Sequence, residues 1–117
     1  MDIVYLSNLR IETIIGIYDW ERKTKQTISL DLEMATDVAK AAMSDDINDA
    51  CDYKAVAKRL IDFVGNSEFF LIETLAEQVS QIILQEFKIS WLRLRVDKLD
   101  AVRGAQGVGV IIERSQS

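Results

Sequence analysis

The sequence predicts an α+β domain in which a four-stranded antiparallel sheet is covered on one face by two helices, in the order β-β-α-α-β-β. Three observations carry this. Residues 27–36 set Ile28, Leu30, Leu32 and Met34 between Thr27, Ser29, Asp31 and Glu33, the period of a strand with one buried and one wet face. Two later stretches repeat apolar residues every three or four positions, the period of an amphipathic helix. A second alternating run, Leu92, Leu94 and Val96 against Arg93, Arg95 and Asp97, then resumes the sheet.

Residues 2–17 are dense in β-branched and aliphatic side chains, and Ile11, Thr13, Ile15 and Ile17 fall on one side of an extended chain, which predicts a first strand. It should pair antiparallel with the strand from Thr27 to about Thr36. Their connection, "YDWERKTK", is longer than a tight hairpin turn and carries Tyr18, Trp20 and Glu21, more than a linker needs. For Trp20 the expectation is a ring packed over the end of the sheet. From Ala39 to Cys51 the periodicity fails, and "SDDINDACD" offers capping and turn residues, with Asp52 as the N-cap of the next element. Tyr53, Val56, Ala57, Leu60 and Val64 form the stripe of a helix ended by "GNS". After "SEFF" a second helix runs to about Phe87 on Ile72, Leu75, Ala76, Val79 and Ile83. The last strand spans about Val108 to Arg114. The glycines of "GAQGVG" precede that strand instead of a helix and lack the Lys-Ser/Thr pair of a phosphate loop, so they are read as easing a bend or bulge. Ile14 beside Ile15, and Val110 to Ile112, make some strands dense on both sides, which predicts that part of the second face is buried by another subunit.

At 117 residues and 49% hydrophobic content the chain fits one domain with a sizeable core. Nineteen acids against 14 bases give a net charge of −5, which disfavours a nucleic-acid surface; Arg22, Lys23 and Lys25 are read as a solvated loop. One cysteine cannot form an internal disulfide, "MDIV" does not begin a signal peptide, and no apolar run is long enough to span a bilayer, so a soluble protein of the reducing cytoplasm is expected. With no histidine and one cysteine the chain lacks the usual ligands of catalytic zinc or iron. Acid-base work must then fall to Glu, Asp, Lys, Tyr or water.

Lys98 stands where the alternation from Trp91 to Asp97 gives way to "LDAVRGAQG". A strand-to-loop junction is a common place for a catalytic group, but charged residues commonly close edge strands, and on this stretch alone a surface lysine is the favoured reading. Glu73, on the flank of the second helix near its start, fits either a ligand anchor or a carboxylate complementing the helix dipole.

Five motifs in order, "IGIYDWE", "SDDINDACDY", "LIETLAE", "VDKLDAV" and "GVGVIIER", make the chain resemble the dihydroneopterin aldolases of folate biosynthesis over nearly its whole length, as a single domain. The resemblance implies the tunnelling fold, in which sheets of several subunits join into a barrel and two tetrameric rings stack as a homo-octamer with active sites between subunits. It implies a pterin substrate and no cofactor, while composition, charge and hydropathy already argue against a metal and against a nucleic-acid or membrane partner. Carried over position by position, Glu73 corresponds to the pterin anchor, Lys98 to the catalytic lysine, Tyr53 to the catalytic tyrosine contributed across the interface, and Glu21 to the acid near the substrate's hydroxylated side chain. Ile72 and Cys51 fall at substrate-contacting positions. One departure is Leu99, where the family often has proline. Two other functions stay open: a 2'-epimerase acting on dihydroneopterin or its triphosphate, for which Arg22, Lys23, Lys25 and Arg103 are candidate phosphate contacts, and a non-catalytic small-molecule-binding domain.

Overall fold

The alternating stretches form one antiparallel sheet whose strands lie in sequence order: β1 (Asp2–Thr13), β2 (Gln26–Thr36), β3 (Trp91–Leu99) and β4 (Gly107–Ser115). Between β2 and β3 come three helices, α1 (Val38–Ser44), α2 (Tyr53–Gly65) and α3 (Ile72–Glu86). The structure is a computed structural model and describes residues 1–116.

Register follows from the hydrophobic period. Ile28 faces Lys98, Leu30 faces Val96, Leu32 faces Leu94 and Met34 faces Leu92 across β2 and β3, so a slip of one residue would turn this apolar set to solvent. Those side chains meet Val56, Leu60 and Val64 of α2 and Leu75, Val79 and Ile83 of α3 in one core. The α2 helix lies over β1, and α3 lies over β3 and β4. Asp52 caps α2 by accepting from the Ala55 N–H at 3.1 Å, as the sequence predicts. The buried Thr13 hydroxyl donates to Val64 O at 2.6 Å, which ties the end of β1 to the last turn of α2.

Four expectations change. The helices number three, because "VAKAAMS" forms α1 and a 3₁₀ turn follows at Ile47–Asp49; α1 is held by its ends, with Asp37 accepting from Lys40 N–H and Asp45 in the left-handed region. The first strand stops at Thr13, because Gly16 at φ 125° turns the chain; Ile15 is still fully buried, whereas Ile17 is 60% exposed. Trp20 is 59% exposed and borders an open cleft with Thr27, Leu99 and Asp100 at the sheet end instead of packing closely over it, while a 3₁₀ turn at Asp19–Arg22 directs its neighbour Glu21 inward. The helix-free face is chiefly polar. Val110 and Ile112 pack on the helix side, and the open face carries Asp31, Glu33, Arg93 and Arg95, with an Arg93–Glu33 ion pair at 3.0 Å. Its exposed large apolar side chains include Tyr5 and Ile111.

"GAQGVG" contains a bend, with Gly104 at φ 92° in the turn before β4, but no bulge, since β3 and β4 pair without a register shift. A Cβ on Gly109 would stand 1.7 Å from Val96 O, and one on Gly107 would stand 2.0 Å from an Asp97 carboxylate oxygen. Those glycines let β4 approach β3 closely.

Candidate active site

Lys98 continues the inward row Leu92, Leu94 and Val96, so its stem lies at the end of the core and its ammonium at the core's rim. The side chain is 14% exposed and forms an ion pair with Glu21 Oε2, whose side chain is 4% exposed. Leu99 does not leave the lysine loose. Lys98 is paired with Ile28 on one side and Val108 on the other, and Leu99 itself pairs with Gly107, so the ladder fixes this backbone where a proline is often found in the family.

Glu21 is held from several directions. The Tyr18 N–H donates to Oε1 at 3.2 Å and the Gln26 amide donates to Oε2 at 3.1 Å. Gln26 also donates to Ile15 O at 2.8 Å. Gly16 leaves the room, since a Cβ there would fall 2.1 Å from the Glu21 carboxyl carbon. Burial alone pushes the Glu21 carboxyl up, but the bonds from Lys98, Gln26 and the Tyr18 N–H together outweigh it and hold the group below its ordinary value.

The neighbouring Arg22 also faces inward. Its guanidinium donates to Gly16 O at 2.9 Å, Phe69 O at 3.0 Å and Glu68 O at 2.5 Å, and it stacks 4.0 Å from the Phe70 ring centroid. Gly16 N–H donates to Phe69 O at 3.4 Å. The segment leading into α3 is therefore fastened to the turn that carries Glu21. Ile72, half-buried, and Glu73, exposed, follow in the first turn of α3. Lys98, Glu21 and the start of α3 share one end of the sheet.

Tyr53 and Cys51 occupy the other end. Cys51 Sγ lies 4.0 Å from Met34 Sδ, and Met34 faces Leu92, whereas Lys98 faces Ile28. From Leu92 to Lys98 the strand advances roughly 20 Å at about 3.4 Å per residue. Tyr53, 51% exposed in the first turn of α2, is thus far from Lys98 within one chain. An open cleft of ≈ 680 Å³ lies at this end, lined by Thr36, Asp49, Ala50, Cys51 and Ile89 among others. Burial, then the charge of Asp52, pushes the Cys51 thiol up, which favours the neutral form.

The site residues that sequence reasoning missed are Gly16 and Gln26, and it gave Arg22 a different role. Arg22 was expected in a solvated basic loop, and three carbonyl oxygens take its donors instead; Lys23 and Lys25 are exposed. The "IGIYDWE" stretch was visible, but nothing in it shows which distant carbonyls its neighbours meet. Among the described residues no group of three His, Cys, Asp or Glu side chains is arranged to hold a metal, and no helix is long and apolar enough to cross a membrane.

The arrangement offers a cation and a carboxylate, paired and shielded from water, at the same end of the sheet as an exposed carboxylate in the first turn of α3. Comparison with known proteins finds the same framework. The family model described as FolB, dihydroneopterin aldolase, matches residues 4–113. The dihydroneopterin aldolase of Escherichia coli K12 is 42% identical over 117 residues, covering 100% of this chain and 96% of that protein. The dihydroneopterin triphosphate 2'-epimerase of the same organism is 34% identical over 110 residues, covering 94% of this chain and 92% of that one. A solved structure of E. coli dihydroneopterin aldolase in complex with neopterin superposes with a TM-score of 0.96 at 43% identity, covering 98% of this chain and 100% of that chain. A family model that matches residues 4–113 and a 42% identical relative aligned over the whole chain show that this chain belongs to the dihydroneopterin aldolase family.

Proposed function

We propose that this chain is a 7,8-dihydroneopterin aldolase of the cytoplasm, cleaving its substrate without a cofactor to 6-hydroxymethyl-7,8-dihydropterin and glycolaldehyde in tetrahydrofolate biosynthesis. The observation that carries the reading is the shielded Lys98–Glu21 pair at the same end of the sheet as the first turn of α3. Neopterin, named as the ligand of the similar E. coli enzyme, has the ring and side chain that these groups suit.

The chemistry follows from the residue types. A pterin presents an amino group and a ring N–H side by side, and the Glu73 carboxylate accepts both with charge-assisted strength. Cleavage of the C1'–C2' bond needs a base for the 2'-hydroxyl proton and a sink for the electron pair. The N5=C6 imine of the dihydropterin is that sink and becomes an enamine, so Lys98 needs no covalent bond to substrate. Lys98 acts as proton donor toward N5, directly or through a water. Glu21 meets the hydroxylated side chain, and Tyr53 of a neighbouring subunit moves protons at the side chain and the exocyclic carbon. Ile72, together with Cys51 of the partner subunit, contacts the ring. The roughly 20 Å separation deduced above supports a site shared between copies, hence a homo-oligomer, which we read as an octamer of two stacked tetrameric rings.

A second reading is favoured by the 34% identical epimerase: the same retro-aldol step followed by bond formation on the other face of glycolaldehyde. It enters here as a side activity. Incubation with dihydroneopterin and with its triphosphate, followed by chromatography, distinguishes the two. Glycolaldehyde as the main product from dihydroneopterin supports the aldolase; epimer with little glycolaldehyde supports the epimerase, and neither product overturns both.

A further inference from the structure

We propose that Arg22 is a positioning residue that sets the spacing between the Lys98–Glu21 pair and the start of α3. The inference rests on the aldolase reading, in which the start of α3 anchors the pterin ring and the Lys98–Glu21 pair serves its reacting end. Catalysis then depends on the distance between two segments that are separate in sequence. Arg22 joins them. It sits next to Glu21 in the 3₁₀ turn, and its planar fork reaches Glu68 O and Phe69 O, just ahead of α3, together with Gly16 O behind Glu21. The guanidinium also stacks on Phe70 at 4.0 Å. Several donors fixed in one rigid plane hold two backbones in register in a way that a flexible ammonium does not. Gly16 completes the clamp, because its N–H reaches Phe69 O while its missing Cβ makes room for the Glu21 carboxylate.

A clamp of this kind affects chemistry more than ring binding. The ring stays on the start of α3 when Arg22 is lost, whereas the Lys98–Glu21 pair drifts relative to it, and a displacement of about 1 Å is enough to slow a positioned reaction by orders of magnitude.

The test uses the full-length protein with Arg22→Ala, Arg22→Lys and Arg22→Gln. Fluorescence titration with pterin, which carries the ring and no side chain, gives ring affinity and the number of functional binding sites; turnover of dihydroneopterin is then expressed per site. The expected result for Arg22→Ala is turnover per site lower by about tenfold or more, ring affinity within about twofold of wild type, and partial recovery in Arg22→Lys. A merely structural role lowers the number of sites and leaves turnover per site unchanged, and that outcome overturns the proposal. Loss of ring affinity in step with turnover also overturns it, since Arg22 would then support the anchor and not the spacing. If Arg22→Ala does not fold, Arg22→Gln and Arg22→Lys are judged by the same per-site criterion. A wild-type protein that binds pterin yet leaves dihydroneopterin intact overturns the aldolase reading instead.

Discussion

Glu73 and Glu21 are both carboxylates near helical turns, yet their surroundings set different tests. Glu73 is exposed. As a dipole partner its replacement costs only about 0.3–1 kcal/mol of stability; as the pterin anchor it accepts from two donors at once. Glu73→Gln puts a donor against a donor, and the expected outcome in a pterin titration is at least a tenfold loss of affinity, about 1.4 kcal/mol, with the melting temperature little changed. Normal affinity would return Glu73 to the dipole role. Glu21 is buried and its carboxyl is held below the ordinary 4.5. A carboxyl depressed on folding stabilises the fold fully above its unfolded pKa, and that contribution is lost as pH falls through 4.5 toward the lower folded value. Wild type is therefore expected to melt higher than Glu21→Gln at pH 7, with the two melting curves converging as calorimetry is taken down through this window. A gap independent of pH would mean that the Glu21 charge does not stabilise the fold. The acid-rich motif around Glu21 was legible in the sequence, because residue type and spacing suffice to see it. The bonds of Arg22, and that of Gln26 to Ile15, were not, because their acceptors are backbone oxygens, and a carbonyl leaves no mark in the sequence.

At the scale of elements, the parts with a period were legible and the parts held by their ends were not. The β2 strand and both long helices announce themselves through side chains that repeat toward one core. The α1 helix has no buried residue, so no stripe exists to be read; its caps and a left-handed residue hold it. The overlong first strand came from Ile15, whose burial is real but which lies beyond the turn at Gly16. Burial was inferred correctly there and strand was not, because an apolar residue reports burial whatever the backbone does. The close approach of β4 to β3 gives a test at this scale. A Cβ on Gly109 collides with Val96 O, two residues before Lys98 in the same strand. Gly109→Ala should destabilise by about 1–3 kcal/mol as an overpacked contact, measured by urea denaturation, and should slow turnover because β3 must shift. A variant as stable as wild type would show that β4 can move away without cost.

The whole molecule places its two groups of candidate residues at opposite ends of the sheet. Lys98 faces Ile28, Cys51 lies beside Met34, and Tyr53 follows directly in the first turn of α2. Both outer strands, β1 and β4, are edges of the sheet, and such edges in a native protein are paired or otherwise protected. Pairing β4 of one copy with β1 of the next would protect both edges. The expectation from sequence that a partner covers the second face rested on apolar density that the fold divides between two faces; the separation of Tyr53 from Lys98 is the stronger argument for assembly. The most direct measurement is complementation between two inactive variants. Tyr53→Phe and Lys98→Ala are purified separately, unfolded and refolded as an equal mixture, and assayed with dihydroneopterin. If the site is shared, random assembly unites an intact Lys98 with an intact Tyr53 at about one quarter of interfaces, and the mixture recovers about that share of wild-type turnover. A mixture as inactive as either parent, with mixed oligomers demonstrated by mass spectrometry, would contradict the shared site.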